Sequence, residues 1–178
     1  MKKLIVLVMT FIIMPLMAQD GAESIVHHYA ARNFLAGEVS KEQLDTVLTA
    51  GVNAPSAMNR QPWHFTVARN PKLVKQIIPD AKDGNILIIV SAEPKANEGS
   101  IVLDCGLAVE SIYLAAQAIG LGSRIYTGPM NTVNSKFKNE LPPGHTAIAL
   151  VRIGLVEKTD AVTAASNRKA MDKIVTYK

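Results

Sequence analysis

The stretch from Ser100 to Ile119 constrains the fold most. Ile101, Cys105, Ala108, Val109, Ile112, Tyr113, Ala116 and Ile119 recur at helical spacing and cover more than one face of the helix they predict. A helix that is apolar nearly all round belongs in the centre of a fold or at a subunit interface, because a solvated surface would leave one of those faces in water. Gly120 and Gly122 supply its C-terminal stop.

The other segments read as layers around that helix. After Val39, Ser40 can cap a helix and Gln43 completes a capping box, with Val39 and Leu44 closing a hydrophobic staple. Leu44, Val47, Leu48 and Val52 form its apolar face, and Asn53 and Pro55 end it. His64 to Ala68 alternates between Pro62 and Asn70 and predicts a strand, followed by a short helix from Pro71 to Ile78. Ile86 to Ser91 is continuous, apolar and β-branched, which predicts a strand buried on both faces. A short strand at Arg124 to Tyr126, a helix from Asn131 to Leu141 capped by Asn131, and a long strand from Thr146 to Leu155 complete the series. Beyond Lys158 the tail is polar until Ile174 and Val175, so it is expected to wrap over another surface. There is no internal repeat, low-complexity tract or linker. The alternation of helix and strand predicts an α+β or α/β sandwich with a mixed sheet.

The first eighteen residues stand apart from this pattern. Lys2 and Lys3 precede an apolar run from Leu4 to Ala18 that is broken at Pro15 and ends on a small residue before Gln19 and Asp20. That is the layout of a secretory signal peptide, and the run is shorter than the ~20 apolar residues of a permanent span. The expectation is therefore a signal peptide at 1–18, cleavage after Ala18, and an exported, periplasmic or secreted, single domain at 19–178 with no membrane span after cleavage. Removing Lys2 and Lys3 lowers the formal charge from +4 to +2, leaving 17 basic against 15 acidic residues. So small an excess gives no reason to expect nucleic acid as a partner. Cys105 is the one cysteine, so an internal disulfide is impossible, and with four scattered His it offers no paired zinc-ligand spacing. It reads as a buried helix residue, and His27-His28, His64 and His145 as structural or solvated side chains.

Three segments together resemble the nitroreductase family. Arg32-Asn33-Phe34 precedes Val39-Ser40, and the helix it caps runs into Ala54-Pro55-Ser56-Ala57-Met58-Asn59-Arg60-Gln61-Pro62-Trp63, similar to the family's Pro-Ser-x-x-Asn-x-Gln-Pro-Trp loop. Asp104 to Gly122 is similar to the family's central helix, its end from Ala116 to Gly122 matching Ala-x-x-x-Gly-Leu-Gly. Ala149 to Gly154 and a tail carrying Asn167-Arg168-Lys169 form the third segment. The resemblance implies an α+β nitroreductase-like fold and a homodimer with exchanged helices and tails, with FMN bound at the subunit interface. Carried over by position, His28, Tyr29, Ala30, Arg32, Arg168 and Lys169 would meet the phosphate and ribityl chain. Pro55, Ser56, Ala57, Asn59 and Gln61 would lie beside the isoalloxazine ring, partly from the other subunit. Thr127 and Gly128 match the loop whose backbone N–H meets flavin N5.

The residue types suit those roles. Arg binds phosphate oxygens through a fixed fork, while amide and hydroxyl groups suit the polar edge of a flat ring. Because FMN carries the electrons, no catalytic nucleophile is expected from the protein, and no metal. The implied reaction is transfer of two electrons from NAD(P)H or another reduced donor to a small acceptor such as a nitroaromatic or a quinone. His28 and Ala30 depart from the Arg and Ser usual at the first phosphate contacts, which leaves an alternative: a degenerate member that binds a flavin-like ligand without turnover.

Overall fold

The computed structural model describes residues 21–94, 98–160 and 166–178. The expected signal peptide and its cleavage point lie outside the described residues. Four helices and four strands alternate in the order α1 (Lys41–Val52), β1 (His64–Ala68), α2 (Pro71–Ile77), β2 (Ile86–Ala92), α3 (Glu98–Ala118), β3 (Gly122–Tyr126), α4 (Met130–Lys136) and β4 (Thr146–Gly154). Residues 21–26 form a further helical segment ahead of α1. The expected α+β architecture is present.

The sheet has the order β1-β2-β4-β3. Its three pairings are all antiparallel, which corrects the expectation of a mixed sheet among the described strands. The long crossover through α3 does return the chain in the same direction, as its flanking strands suggested. β4 then inserts between β2 and β3 and runs opposite to both, so no parallel pair forms.

Side chains alternate across a strand, and β2 is buried on both faces because the sheet is covered on both. Ile86, Ile88 and Val90 pack with Val47 of α1 and Cys105, Val109 and Ile112 of α3. Leu87 and Ile89 face the opposite layer, against Val74 and Ile77 of α2 and Met130 and Val133 of α4. Where α1 crosses α3, Gly51 is required: a Cβ there would stand 2.7 Å from Cγ1 of Ile112. The capping box at Ser40 and Gln43 is formed in both directions. Cys105 is fully buried, and desolvation pushes its thiol up to about 11, so it is inert as a nucleophile.

Two boundaries differ from expectation. The stop of α3 is Gly120 alone, at φ 81°, with Leu121 N–H reaching back to Ala116 O at 2.9 Å, while Gly122 already belongs to β3. The helix expected from Asn131 to Leu141 is instead α4 followed by a separate 3-10 turn at Lys138–Glu140, broken at Phe137. Asn131 is not its cap. Pro129 occupies that place and makes no side-chain cap bond, its φ of −72° already being helical.

One buried polar knot fixes the segment that leads into the site. Arg152 of β4 is 1% exposed; its Nε and Nη2 donate to Asn85 Oδ1 at 3.0 and 2.8 Å, its Nη1 to Asp80 Oδ2 at 2.9 Å, and its guanidinium lies 4.0 Å from the Phe34 ring centroid. Asn85 in turn donates to Leu35 O at 3.1 Å. The extended stretch around Phe34 is thereby held against the sheet, with Phe34 bridged to Val156.

Candidate active site

The first part of the candidate site is the segment that runs from the N-terminal helical residues to Phe34. It is strapped along its length rather than paired in a strand. Ala31 N–H donates to Ser123 O at 2.9 Å, and the carboxylate of Asp160, itself fully buried, accepts the N–H groups of Arg32 and Asn33 at 3.2 and 2.8 Å. Gln117 of α3 accepts Tyr29 N–H at 3.1 Å and donates to Tyr29 O at 3.0 Å.

Beside this segment is a cavity of about 320 Å³, walled on one side by Val26, His27, His28, Tyr29 and Ala30 and on the other by Ser166 and Arg168. Four of the residues expected at a phosphate site, His28, Tyr29, Ala30 and Arg168, therefore converge from the two ends of the chain. Two others do not line it. Arg32 engages Asp160 through its backbone, and Lys169 is exposed on the tail. His27, expected as a structural or solvated side chain, lines the cavity and also pairs with Glu23 at 2.9 Å.

The cavity carries the Arg168 guanidinium on one side and His28 and Tyr29 on the other. Arg168 donates to Ser166 O at 3.0 Å through one nitrogen, which leaves the rest of its fork available. His28 Nδ1 stands 2.6 Å from Ile25 O, so Nδ1 carries the proton and Nε2 is the free nitrogen. The His28 ring stands edge-on to Tyr113, their centroids 5.6 Å apart. Burial pushes the hydroxyl pKa values of Tyr29 and Tyr113 up, with Asp160 adding to the rise at Tyr29. Both phenols therefore stay neutral donors.

The second part is the loop after α1. Its backbone is unusual: Met58, Asn59 and Gln61 have φ of 53°, 56° and 47°, three non-glycine residues in the left-handed region within four positions. That conformation costs free energy at each residue and persists only where surrounding bonds over-determine it. Here they do. Ser56 Oγ accepts Gln61 N–H at 3.0 Å, Gln61 Nε2 donates to Asn59 Oδ1 at 3.1 Å, and buried Asp104 of α3 accepts Ala57 N–H at 2.9 Å. The result presents the Ser56 hydroxyl and the Asn59 amide nitrogen on an exposed loop, with Pro55, Ala57 and Gln61 also exposed. Asp104 stands 47 positions from Ala57 along the chain, so no local spacing points to this bond.

Thr127 and Gly128 follow the last residue of β3, both exposed, at the start of the turn into α4. The strand registers put them at the end of the sheet that also carries His64 and the loop before it, opposite the end where Ser123 meets Ala31. Along α3, the loop is tied at Asp104 and the cavity segment at Gln117. Thirteen residues of helix separate these ties, or about 20 Å. One chain thus carries two candidate half-sites, a cavity lined by Arg168 and a loop rich in amide and hydroxyl groups, rather than one closed pocket. Among the described residues no group of three or more His, Cys, Asp or Glu is placed to hold a metal ion.

Comparison with known proteins agrees with the geometry. The model of the nitroreductase family matches residues 25–98. A relative from Methanothermobacter thermautotrophicus, assigned by name as an NADH dehydrogenase/NAD(P)H nitroreductase, is 35% identical over 118 residues, which are 61% of each chain. A second, of the same assignment from Archaeoglobus fulgidus, is 38% identical over 95 residues, 48% of this chain and 55% of that protein. The chain thus matches less than two thirds of the length of these relatives. A crystal structure of a nitroreductase with bound FMN from Desulfitobacterium hafniense superposes with a TM-score of 0.76 at 23% identity, covering 89% of this chain and 98% of that one.

Proposed function

We propose that this chain, which belongs to the nitroreductase family, is an FMN-dependent oxidoreductase that passes two electrons from NAD(P)H or another reduced donor to a small acceptor such as a nitroaromatic or quinone. The observation that carries the reading is the convergence of His28, Tyr29, Ala30 and Arg168 on one cavity at one end of α3, with a strained loop rich in amide and hydroxyl groups at the other. The related chain from Desulfitobacterium hafniense, of the same fold, holds FMN.

The residues present fit such a cofactor. The guanidinium of Arg168 offers charge and donors to a phosphate, His28 lines the same cavity, and the Ala30 backbone N–H stands in for a side-chain hydroxyl there. Ser56 Oγ, already accepting from Gln61, keeps its O–H to donate; Asn59, held through Oδ1, keeps its NH₂. These groups, with the Gly128 N–H, suit the polar edge of an isoalloxazine ring. When bound, FMN supplies the hydride chemistry. The protein's part is to orient the ring, shield one face and leave the other open.

The site is shared between two copies in this reading. Val102 and Leu103 of α3 are 52% and 63% exposed, an apolar patch on a helix whose opposite face packs in the core, and Ile174, Val175 and Tyr177 are exposed on the tail. A second copy would cover these surfaces and bring its own Pro55–Gln61 loop to the Arg168 side. The chain is also read as exported, on Lys2, Lys3 and the apolar run to Ala18.

The test is the absorbance spectrum of mature protein, residues 19–178, incubated with FMN and desalted. A retained flavin band near one per subunit, bleached anaerobically by NAD(P)H and restored by a quinone, is the expected outcome. A folded, colourless protein rejects the cofactor reading. Retained flavin that no donor reduces leaves the cofactor and rejects the enzyme. Export is checked by intact mass of the processed protein, which should begin at Gln19.

A further inference from the structure

Gln117 is the polar exception in the last turns of α3, flanked by Ala115, Ala116 and Ala118. No family motif calls for a glutamine there, since the Ala-x-x-x-Gly-Leu-Gly pattern leaves that position free. Its amide nevertheless makes three hydrogen bonds beside the cavity. Oε1 accepts Tyr29 N–H at 3.1 Å; Nε2 donates to Tyr29 O at 3.0 Å and to Ser123 Oγ at 2.9 Å. Ser123 is fully buried and its hydroxyl donates to Tyr113 O at 2.7 Å, while its carbonyl accepts Ala31 N–H. The side chain therefore grips both polar groups of the Tyr29 residue, much as a neighbouring strand would, at a place where the sheet provides no strand. A Gln amide can do this because it holds donor and acceptor in one plane.

Everything that faces the cavity from this segment hangs on that grip. His28 precedes Tyr29, and Ala30 follows it. Without Gln117, the nearest ties are the Ala31–Ser123 bond on one side and the His28–Ile25 bond within the segment itself. We propose that Gln117 is a positioning residue for the anion site: it sets the His28 ring and the Ala30 N–H toward the cavity and thereby gives the protein its preference for a phosphorylated flavin. The inference rests on the FMN reading and makes a narrower claim, that discrimination for the phosphate is set by a residue that does not touch it.

The experiment compares FMN with riboflavin, which lacks the phosphate, by fluorescence titration of the wild type and of Gln117→Met and Gln117→Glu. Methionine keeps length and loses every bond; glutamate keeps the acceptor and loses both donations. The wild type should prefer FMN. In both variants FMN affinity should fall by roughly tenfold or more, the scale of one net hydrogen bond and above, while riboflavin affinity stays within about twofold, so that the preference collapses. The Tyr29 and Ala31 amides should exchange hydrogen faster than in the wild type. An equal loss of both ligands, or retention of the FMN preference with slow Tyr29 exchange, overturns the inference. If the variants fail to fold, Ser123→Ala removes one of the three bonds of Gln117 and should show a smaller shift of the same kind; an unchanged ligand ratio there has the same overturning force. A wild type that binds neither flavin overturns the FMN reading itself. One that binds both equally leaves FMN in place and removes the phosphate site on which Gln117 is held to act.

Discussion

At the scale of single residues, the site depends on groups whose alternatives can be tested one at a time. Arg168 is the strongest cation of the cavity, and a charge-assisted bond to a phosphate contributes about 1.5–3 kcal/mol. Arg168→Ala should therefore weaken FMN binding by roughly ten- to a hundredfold on that scale, measured by titration, without altering the melting temperature. Met58 offers the opposite trade. Its side chain is 84% exposed and its backbone is left-handed at φ 53°. Met58→Gly should raise stability by about 0.5–1 kcal/mol in urea unfolding, since glycine adopts that conformation without a Cβ clash. Side-chain chemistry was readable in the sequence where it is local: the types in the Pro55–Trp63 loop, the inert Cys105, the His28 and Ala30 pair. Residues whose partners lie far along the chain were not. Gln117 meets Tyr29 and Asp104 meets Ala57 across 88 and 47 positions, and neither spacing carries a periodicity that would reveal it. Arg32 does not line the cavity, and its backbone N–H is held by Asp160, a contact of the same long-range kind.

At the scale of elements, helix and strand identities followed from patterns that the structure keeps. The capping box starts α1 as Ser40 and Gln43 required, and the β-branched run forms a strand covered on both faces. What failed was strand direction, because whether β4 inserts between β2 and β3 depends on tertiary packing rather than on any local residue. Packing at the α1–α3 crossing gives a direct test. Gly51→Ala places a methyl within 2.7–3.1 Å of Ile112 and Phe65 side-chain carbons, and should cost about 1–3 kcal/mol of unfolding free energy. The knot that joins β4 to the turn before β2 has a pH signature. Burial alone would push the Asp80 carboxyl up, but the hydrogen bond and charge of Arg152 outweigh it and hold the carboxyl below the usual aspartate range. A folded-state value below the unfolded one stabilises the protein at pH above the ordinary aspartate pKa, and that contribution is lost as pH falls through the lowered value. Acid unfolding of Asp80→Asn should accordingly show less stability than the wild type near neutrality and a gap that closes toward pH 3. Equal gaps at both pH values would remove Asp80 from the acid response.

At the scale of the whole molecule, the sequence indicated family and fold through motifs spread over the chain, and the TM-score of 0.76 to a protein only 23% identical shows how much of that fold tolerates substitution. The separation of the two half-sites along α3 has a consequence for how the protein would be charged with its cofactor. If each flavin needs one cavity and the other copy's loop, loading and association are thermodynamically linked, and each must strengthen the other by the same factor. FMN should then shift the sedimentation coefficient of dilute protein from monomer to dimer, and the apparent flavin affinity should improve as protein concentration rises. Affinity independent of concentration would place a complete site in one chain. A protein that works this way would lose its prosthetic group on dilution and regain it only where both copies and free flavin are plentiful, so that its colour would report crowding as well as amount.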